Sequence, residues 1–332
     1  MITKKQNIAI IGAGISGLSL ANMLKDIANV KVFEKSRGFG GRVATRYNED
    51  FEFDHGAQFF TIKTNKFQKF MQPLINQGIV DVWNAKFAEI DGNNTSHKKQ
   101  WNLNYPHYVG APRMNQVCKY LARSLDTTLE TEVNKIKKVD ENKWQLFNSN
   151  NNILGKFDWV ISSAPAYQAQ TLLPKEFAHH NCLKLVKMLG CYTLMLGFKN
   201  KLNTGWDAAL VKNSNISWIS NNSSKPNRKL LNSIVVIASN KWSDKNIDTN
   251  NKDVITEMLK TLFPIIKYKA DELIQCEIQR WRYANIGKNV KYQYLLDANN
   301  KLAAIGDWCI KGRIESGFLS ADALYKNIVN IL

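Results

Sequence analysis

An apolar run at Ile8–Ile11, a longer one mixed with small residues from Ser16 to Leu24, and a β-branched run at Val30–Phe33 follow one another at the start of the chain. Short apolar runs bounded by turn residues predict buried strands, and the longer run from Ser16 to Leu24 predicts a helix. The result is a strand at Asn7–Ile11, a helix at Ser16–Leu24 and a strand at Val30–Glu34, a βαβ unit with a right-handed crossover. Apolar residues at helical spacing (Phe67, Phe70, Met71, Leu74, Ile75) predict a helix over Lys66–Gly78, and Val117, Leu121 and Leu125 one over Met114–Leu125. Strands follow at Glu132–Val139, Lys143–Phe147 and Ile153–Ser162, with turns at Asp140–Asn142 and Asn148–Asn152, and Pro165 closes the last of them. From Tyr167 to Lys291 the pattern is mixed, with strands at Tyr192–Phe198, Ile216–Ser220 and Ser233–Ala238 and a helix at Lys252–Phe263 ended by Pro264. A strand at Leu302–Ile305 and a helix from Gly317 to Ile331 close the chain, whereas the polar stretch Asp91–Gln100 predicts an exposed loop.

The 332 residues, 44% hydrophobic and 22% charged, describe an ordinary globular protein of one large or two medium domains. No run approaches the ~20 apolar residues of a membrane span. Lys4 and Lys5 before Ile8–Ile11 imitate a secretory signal, but Gly12, Gly14 and Gly17 break the run at spacings that serve another purpose. Five scattered cysteines without a CxxC pair (Cys118, Cys182, Cys191, Cys276, Cys309) argue against a disulfide framework or zinc site, and a cytoplasmic location is expected. The net charge of +17 is spread along the chain, with no Arg-rich arm or RNA-binding signature. It favours anionic small molecules and predicts neither a nucleic-acid nor a membrane partner. No metal-ligand cluster and no G-x-S-x-G elbow occur.

Gly12-Ala13-Gly14-Ile15-Ser16-Gly17 lies between the first strand and helix. Gly12 permits the tight turn, Gly14 lets backbone approach a pyrophosphate, and Gly17 allows close packing, while the helix N-terminus offers N–H groups to phosphate. Glu34, 22 positions after Gly12, ends the next strand, where a carboxylate accepts hydrogen bonds from ribose hydroxyls. The basic glycine-rich segment Lys35-Ser36-Arg37-Gly38-Phe39-Gly40-Gly41-Arg42 follows at once, and Arg37 and Arg42 suit phosphate charge. That placement points to FAD rather than NAD. Near the C-terminus, Gly306-Asp307 at a strand end suits a ribityl chain, and the N–H groups around Ser316 and Gly317 suit the pyrimidine end of a flavin.

In this order the three motifs resemble the amine-oxidase branch of the glutathione-reductase-like flavoproteins, from about Asn7 to the C-terminus. The segments Phe53–Thr61, Val109–Met114 and Arg280–Ala284 resemble the renalase-like group of that branch. The resemblance implies an α/β fold: a discontinuous Rossmann-like FAD-binding domain (1–65, 107–166 and 292–332) and a substrate domain (66–106 and 167–291) on a mostly antiparallel sheet. It implies adenine contact through the backbone of Val133, a cofactor contact at Ala164, and Gly56, Ala57 and Gln58 beside the flavin ring. The Ser-Gly-Gly-Cys-Tyr context of covalently bound flavin is missing, which implies non-covalent FAD.

The implied activity is oxidation of misplaced-hydride isomers of NADH and NADPH, with oxygen as acceptor and hydrogen peroxide as product. Such chemistry needs a positioned hydride donor and little acid–base help. Phe59, Phe60, Tyr108, Trp281 and Tyr283 are candidate walls for a flat ring, and Arg282 or Arg313 suits an anionic group. His55 and His107 are the candidate bases, whereas His179-His180 reads as a surface pair. Amine or desaturase-type oxidation is the first alternative. A non-catalytic FAD-binding protein, its flavin blocked by Trp281 or Trp308, is the second.

Overall fold

A continuous, β-branched apolar run gives the first strand, Asn7–Ile11, the centre of a six-stranded sheet, because residues apolar on both sides suit a strand covered on both faces. It pairs in parallel with Asn29–Phe33 on one side and Trp159–Ser162 on the other. Asp126–Thr128 extends the sheet beyond Asn29–Phe33, Leu302–Ala304 beyond Trp159–Ser162, and antiparallel Leu295–Asp297 closes that edge. The computed structural model describes residues 5–92, 94–141, 143–228 and 231–332; Lys4 of the signal-like run and Asn142 of the expected turn lie outside them.

The described chain forms two compact units. Unit 1, Met1–Arg42, Val117–Met188 and Ile286–Leu332, holds this sheet and a three-stranded antiparallel sheet of Val133–Asp140, Lys143–Asn148 and Ile153–Phe157. Its core joins Ile11, Phe33, Trp144, Phe157, Val160, Phe177 and Trp308. Unit 2, Val43–Gln116 and Leu189–Asn285, is built on a seven-stranded sheet whose described pairings are antiparallel except that of Ala208–Lys212 with Lys86–Asp91. Helices Asn240–Lys245 and Asn251–Leu262 cover one face through Tyr192, Leu194, Leu196, Val254 and Met258. Phe51 and Phe53 cover part of the other against Met195 and Val235. Segments 43–65 and 107–116 thus pack in unit 2, and 167–188 and 286–291 in unit 1, although the sequence reading assigned them the other way. The fold is the expected mixed α/β one, a Rossmann-like dinucleotide-binding part with a second part on a sheet.

Several elements differ from expectation. Asp91–Gln100 is no loop: Asn94–Gln100 pairs with Lys86–Asp91 as an edge strand, and it reads as polar because all seven residues are exposed. Leu273–Lys288 is a single sixteen-residue strand that also ends the sheet, and Ala208–Lys212 is a further strand. Ile153–Ser162 is two strands, split at Asp158, whose N–H donates to Asn7 O. The last helix runs Ile314–Ile328, beginning before Gly317.

Candidate functional site: a dinucleotide cradle and an aromatic sheet face

Unit 1 carries the first part of the site. Gly12 has φ +110°, and a Cβ there would stand 2.7 Å from Ser163 Oγ. The Ser163 hydroxyl donates to Ile11 O at 3.0 Å or to Gly12 O at 2.9 Å, so the neighbouring strand pins the turn. At Gly17 a Cβ would stand 2.1 Å from Gly12 O, so only glycine lets the helix start so close to the turn. Gly14 faces the opposite situation, since its Cβ would meet nothing nearer than Gly40 O at 3.9 Å. Helix Ile15–Leu24 begins there with no side-chain cap, leaving its first-turn N–H groups to be satisfied by a ligand or solvent. Gly40 N donates to Ala13 O, which folds the Arg37–Arg42 loop over the same turn.

Glu34 is buried and its carboxylate is already oriented: Oε2 accepts from Ala13 N at 2.8 Å and Oε1 from Ser36 N at 2.9 Å. Thr131 N donates to Glu34 O, which brings the backbone leading to Val133 beside the acid. A carboxylate so held keeps lone pairs for the vicinal hydroxyls of a ribose. Lys35 stands 3.7 Å from Glu132 in an exposed pair, and Arg37 is exposed. Arg42 and Asp307, expected at the phosphate and the ribityl chain, form a forked ion pair with each other, Nη1 to Oδ2 at 2.9 Å and Nη2 to Oδ1. The pair ties the glycine-rich loop to the strand end carrying Gly306, where a Cβ would collide with the Trp308 indole. Trp308 is fully buried and donates to Ala164 O at 3.1 Å, which makes it part of the core. Gly317 N donates to Arg313 O, so the donors at that end are the N–H groups before it. Gly317 serves packing, because a Cβ there would stand 2.9 Å from Ser16 Oγ. The glycine turn, the uncapped N–H groups and an oriented acid fit the ADP half of FAD.

Unit 2 carries the second part. Successive side chains of a strand point to opposite faces, and Leu273–Lys288 shows it residue by residue. On one face Gln275 accepts from Asn48, Glu277 and Gln279 accept from Arg46, and Trp281 Nε1 donates to His55 O, each at 2.9 Å. On the other, Arg280 donates to Thr249 O and Arg282 to Asp248 Oδ1 at 2.7 Å. Arg282 therefore cannot share a wall with Trp281 and Tyr283. Strand alternation removes it from that group.

The His55 ring stacks on Trp281, centroids 5.2 Å apart at 14°. Burial, and the Arg46 guanidinium, push its pKa down to about 4, and its buried Nδ1 has no partner. The imidazole is neutral at neutral pH. Gln58 ties its own loop, donating to Asp54 O and Gly56 O while its Oε1 accepts from Ser220 Oγ at 2.7 Å, so Gly56 and Ala57 sit in a braced turn. Phe60 and Tyr108 exchange backbone hydrogen bonds at 2.8 Å and stack at 5.8 Å. Phe59 packs edge-on against Trp101 and His107, and Trp218 lies 5.6 Å away.

Beneath these rings is a charge cluster that sequence reasoning missed. Asp54 Oδ1 accepts from Thr45 Oγ and Met114 N, and Oδ2 from Lys225 Nζ at 3.0 Å and Arg228 Nη2 at 2.6 Å. The Lys225 and Arg228 side chains are 0% and 1% exposed. The two cations, helped by Thr45, overcome burial and hold the Asp54 carboxyl well below its usual range. Burial brings Lys225 down to about 8. Asp54 stands within a quoted segment, but Lys225 and Arg228 lie in the mixed region, where nothing in the pattern singles them out. His179 and His180 are not a free surface pair, since each ring nitrogen meets a carbonyl, of Leu296 and Gln170. Among the described residues no group of three or more His, Cys, Asp or Glu is placed to hold a metal.

Comparison with known proteins agrees with this geometry. Residues 10–74 match the family model of the NAD(P)-binding Rossmann-like domain, and 81–321 that of the flavin containing amine oxidoreductases. A candidate protoporphyrinogen oxidase from Exiguobacterium sp. 255-15 superposes with a TM-score of 0.78 at 12% identity, over 98% of this chain and 99% of that one. Reduced UDP-galactopyranose mutase gives 0.77 at 12%, over 99% and 95%, and putrescine oxidase bound to putrescine 0.73 at 11%, over 98% and 99%. At such identities the structures establish a shared fold. With the family model spanning most of the chain, the protein belongs to the flavin containing amine oxidoreductase family and is an FAD-dependent oxidoreductase.

Proposed function

We propose that this flavoprotein is an oxidase of misplaced-hydride isomers of NADH and NADPH, returning them to NAD(P)+. The observation that carries the reading is the aromatic face of unit 2, where a neutral His55 stacks on Trp281 and the nearby carboxylates are already committed. Asp54 is paired with Lys225 and Arg228, Glu277 with Arg46, and Glu52 with Arg113 through Oε1, while its Oε2 is buried without a partner. An ammonium substrate gains most from a free carboxylate, whereas a neutral dihydropyridine needs flat apolar walls and one or two hydrogen bonds. The His55 Nδ1 is buried without a partner, an unsatisfied polar atom beside the Trp281 ring. The likeness of Phe53–Thr61, Val109–Met114 and Arg280–Ala284 to the renalase-like group supports the same substrate.

FAD, when bound, would supply a two-electron hydride acceptor that oxygen and a proton restore, with hydrogen peroxide as the product. Gly14 and the first turn of helix Ile15–Leu24 hold its pyrophosphate, Glu34 its adenosine ribose and Asp307 its ribityl chain, with Arg42 fixing Asp307. Val133 and Ala164 supply backbone contacts, and Gly56–Gln58 borders the ring. Trp281, Tyr283, Phe60 and Tyr108 position the nicotinamide and exclude water. Cys309 is buried and its thiol is pushed up to about 12, which removes the thiolate that covalent attachment needs and favours non-covalent FAD. Buried free thiols at Cys118, Cys191 and Cys309 suit a reducing cytoplasm.

Anaerobic mixing with borohydride-reduced NAD tests the reading. Bleaching of the flavin within seconds, with recovery and peroxide on admitting air, is the expected result. A flavin that stays yellow with the isomers and bleaches with amines would overturn it in favour of an amine oxidase, the reading closer to the named oxidases of the same fold. Bleaching by dithionite alone would instead point to a non-catalytic FAD-binding protein.

A further inference from the structure

Within unit 2, two long segments carry no Asp or Glu at all. His55–Val80 contains Lys63, Lys66 and Lys69, and Gly92–Gln116 contains Lys98, Lys99 and Arg113. One cation from each, Lys63 and Lys99, acts on His107 at the end of one loop, Trp101–His107. The loop's two ends are zipped together, since the Trp101 and His107 rings stack at 3.6 Å and 7°. Backbone bonds from Trp101 N to Ala85 O and from Trp83 N to His107 O anchor the stem. At the tip, Asn102 turns the chain by accepting from Asn104 N on its side chain and from Tyr105 N on its carbonyl. That turn presents Leu103, 71% exposed, and Tyr105, 75% exposed, more than any other large hydrophobic among the described residues.

A pair of isolated surface apolars is unremarkable in itself. Here, however, the pair stands on a braced stem with lysines beside it. The positive charges of Lys99 and Lys63, one from each acid-free segment, both act on His107 at the stem and help depress its pKa, though burial is the larger cause. Lys99 lies on the fully exposed edge strand Asn94–Gln100 that runs into the loop, on the face it shares with Phe87 and Trp101, whereas Lys98 points to the other face. The pattern is an aliphatic and a phenolic side chain at the summit with Lys63 and Lys99 beside the stem.

We propose that the Trp101–His107 loop and the lysines flanking it form a peripheral docking surface for an anionic lipid bilayer. A leucine side chain gains by entering the acyl boundary, and a tyrosine by resting at headgroup level. Each nearby lysine strengthens attraction to an anionic leaflet about fivefold. A nucleic acid would match the charge but gains nothing from Leu103, which has no ring for a base to stack on. The expectation of no membrane partner came from the lack of a spanning segment. No described helix is long and apolar enough to cross a membrane, and peripheral docking requires none.

The test is flotation of the FAD-loaded full chain with vesicles of phosphatidylcholine alone and of phosphatidylcholine with phosphatidylserine. The protein is expected to float with the phosphatidylserine vesicles only and to be released by salt. The double variants Leu103→Asn/Tyr105→Asn and Lys63→Glu/Lys99→Glu should each lose at least about tenfold in partitioning while keeping the flavin spectrum of the parent. Three results would overturn the proposal: no flotation with either vesicle, equal flotation with both, or a Leu103→Asn/Tyr105→Asn variant that floats like the parent. The last, with RNA retained equally by parent and variant, would assign the surface to charge alone.

Discussion

Replacing Asp54 with Asn keeps the shape of the side chain and removes the negative charge that two buried cations share. Lys225 and Arg228 have essentially no solvent exposure, so water cannot take over the task. Breaking a buried pair from one side costs about 3–5 kcal/mol, because the remaining charge is left uncompensated. Lys225 escapes part of that cost by releasing its proton. Its pKa is already down at about 8 with Asp54 present, so without Asp54 it falls further and the amine is neutral at pH 7.5. Arg228 has no such escape, but it also donates to Gly110 O at 3.0 Å and to Pro112 O, which softens its loss. The expected net effect is a loss of about 3 kcal/mol, a large fraction of the 5–15 kcal/mol that hold a typical domain together.

Urea unfolding of the FAD-loaded protein, followed by tryptophan fluorescence, measures it. The decisive comparison adds Lys225→Met to Asp54→Asn. Removing the amine as well should recover part of the stability, because an apolar side chain suits the site beside Trp83, over whose ring Lys225 lies at 5.3 Å. A loss below about 1 kcal/mol for Asp54→Asn, or no recovery in the double variant, would refute the reasoning. The pH dependence has a definite sign as well. The folded pKa of Asp54 lies below its ordinary 3.8, so its contribution is present above that value and fades as pH falls beneath it.

Other consequences are open to the same kind of check. His55 has a folded pKa of about 4 against an ordinary 6.5, so unfolding takes up a proton between those values and stability falls by about 3 kcal/mol as pH drops through that window; thermal melts of His55→Gln should lack that limb. Glu34→Ala removes the ribose acceptor, and titration of apoprotein with FAD should show at least about tenfold weaker binding, the loss of a charge-assisted hydrogen bond. Gly17→Ala drives a methyl to 2.1 Å from Gly12 O, and purified variant should be colourless or retain little FAD. Alkylation of the native protein should mark exposed Cys276 well before Cys118, Cys191 and Cys309, whose thiols burial pushes up to about 12.

How much of this could be read from the residues depends on how local the cause is. The glycine turn, Glu34 and the first βαβ unit were legible because their chemistry is carried by residues close in sequence and by one change of period from strand to helix. Strand Asn94–Gln100 was not, because an edge strand exposed on both faces has no buried side to alternate against. Leu273–Lys288 failed for a related reason: polar residues occupy both of its faces, held by Arg46 and Asn48 on one and by Asp248 and Thr249 on the other. Arg282 was grouped with Trp281 and Tyr283 by adjacency, and alternation separates it. Arg42 and Asp307 were each assigned to the cofactor from their motifs, yet 265 positions apart they hold one another. Long-range pairing leaves no local trace.

The same long-range pairings bear on which substrate the second unit suits. Asp54, Glu52 and Glu277 each find a basic partner inside their own unit, so the region around His55 offers a cation no unpaired carboxylate among these three. Freeing Asp54 or Glu52 would require breaking an ion pair whose carboxylate is buried, which costs more than an exposed ammonium gains from a single new contact, whereas the Arg46–Glu277 pair is partly exposed and weak. Arg46→Gln, by contrast, liberates Glu277 while leaving the His55–Trp281 stack in place. If the reading is right, Arg46→Gln should gain affinity for amines such as putrescine, measured by their perturbation of the flavin spectrum, and gain none for borohydride-reduced NAD. An amine oxidase would behave otherwise: the parent would already bind amines well, and freeing Glu277 would change little.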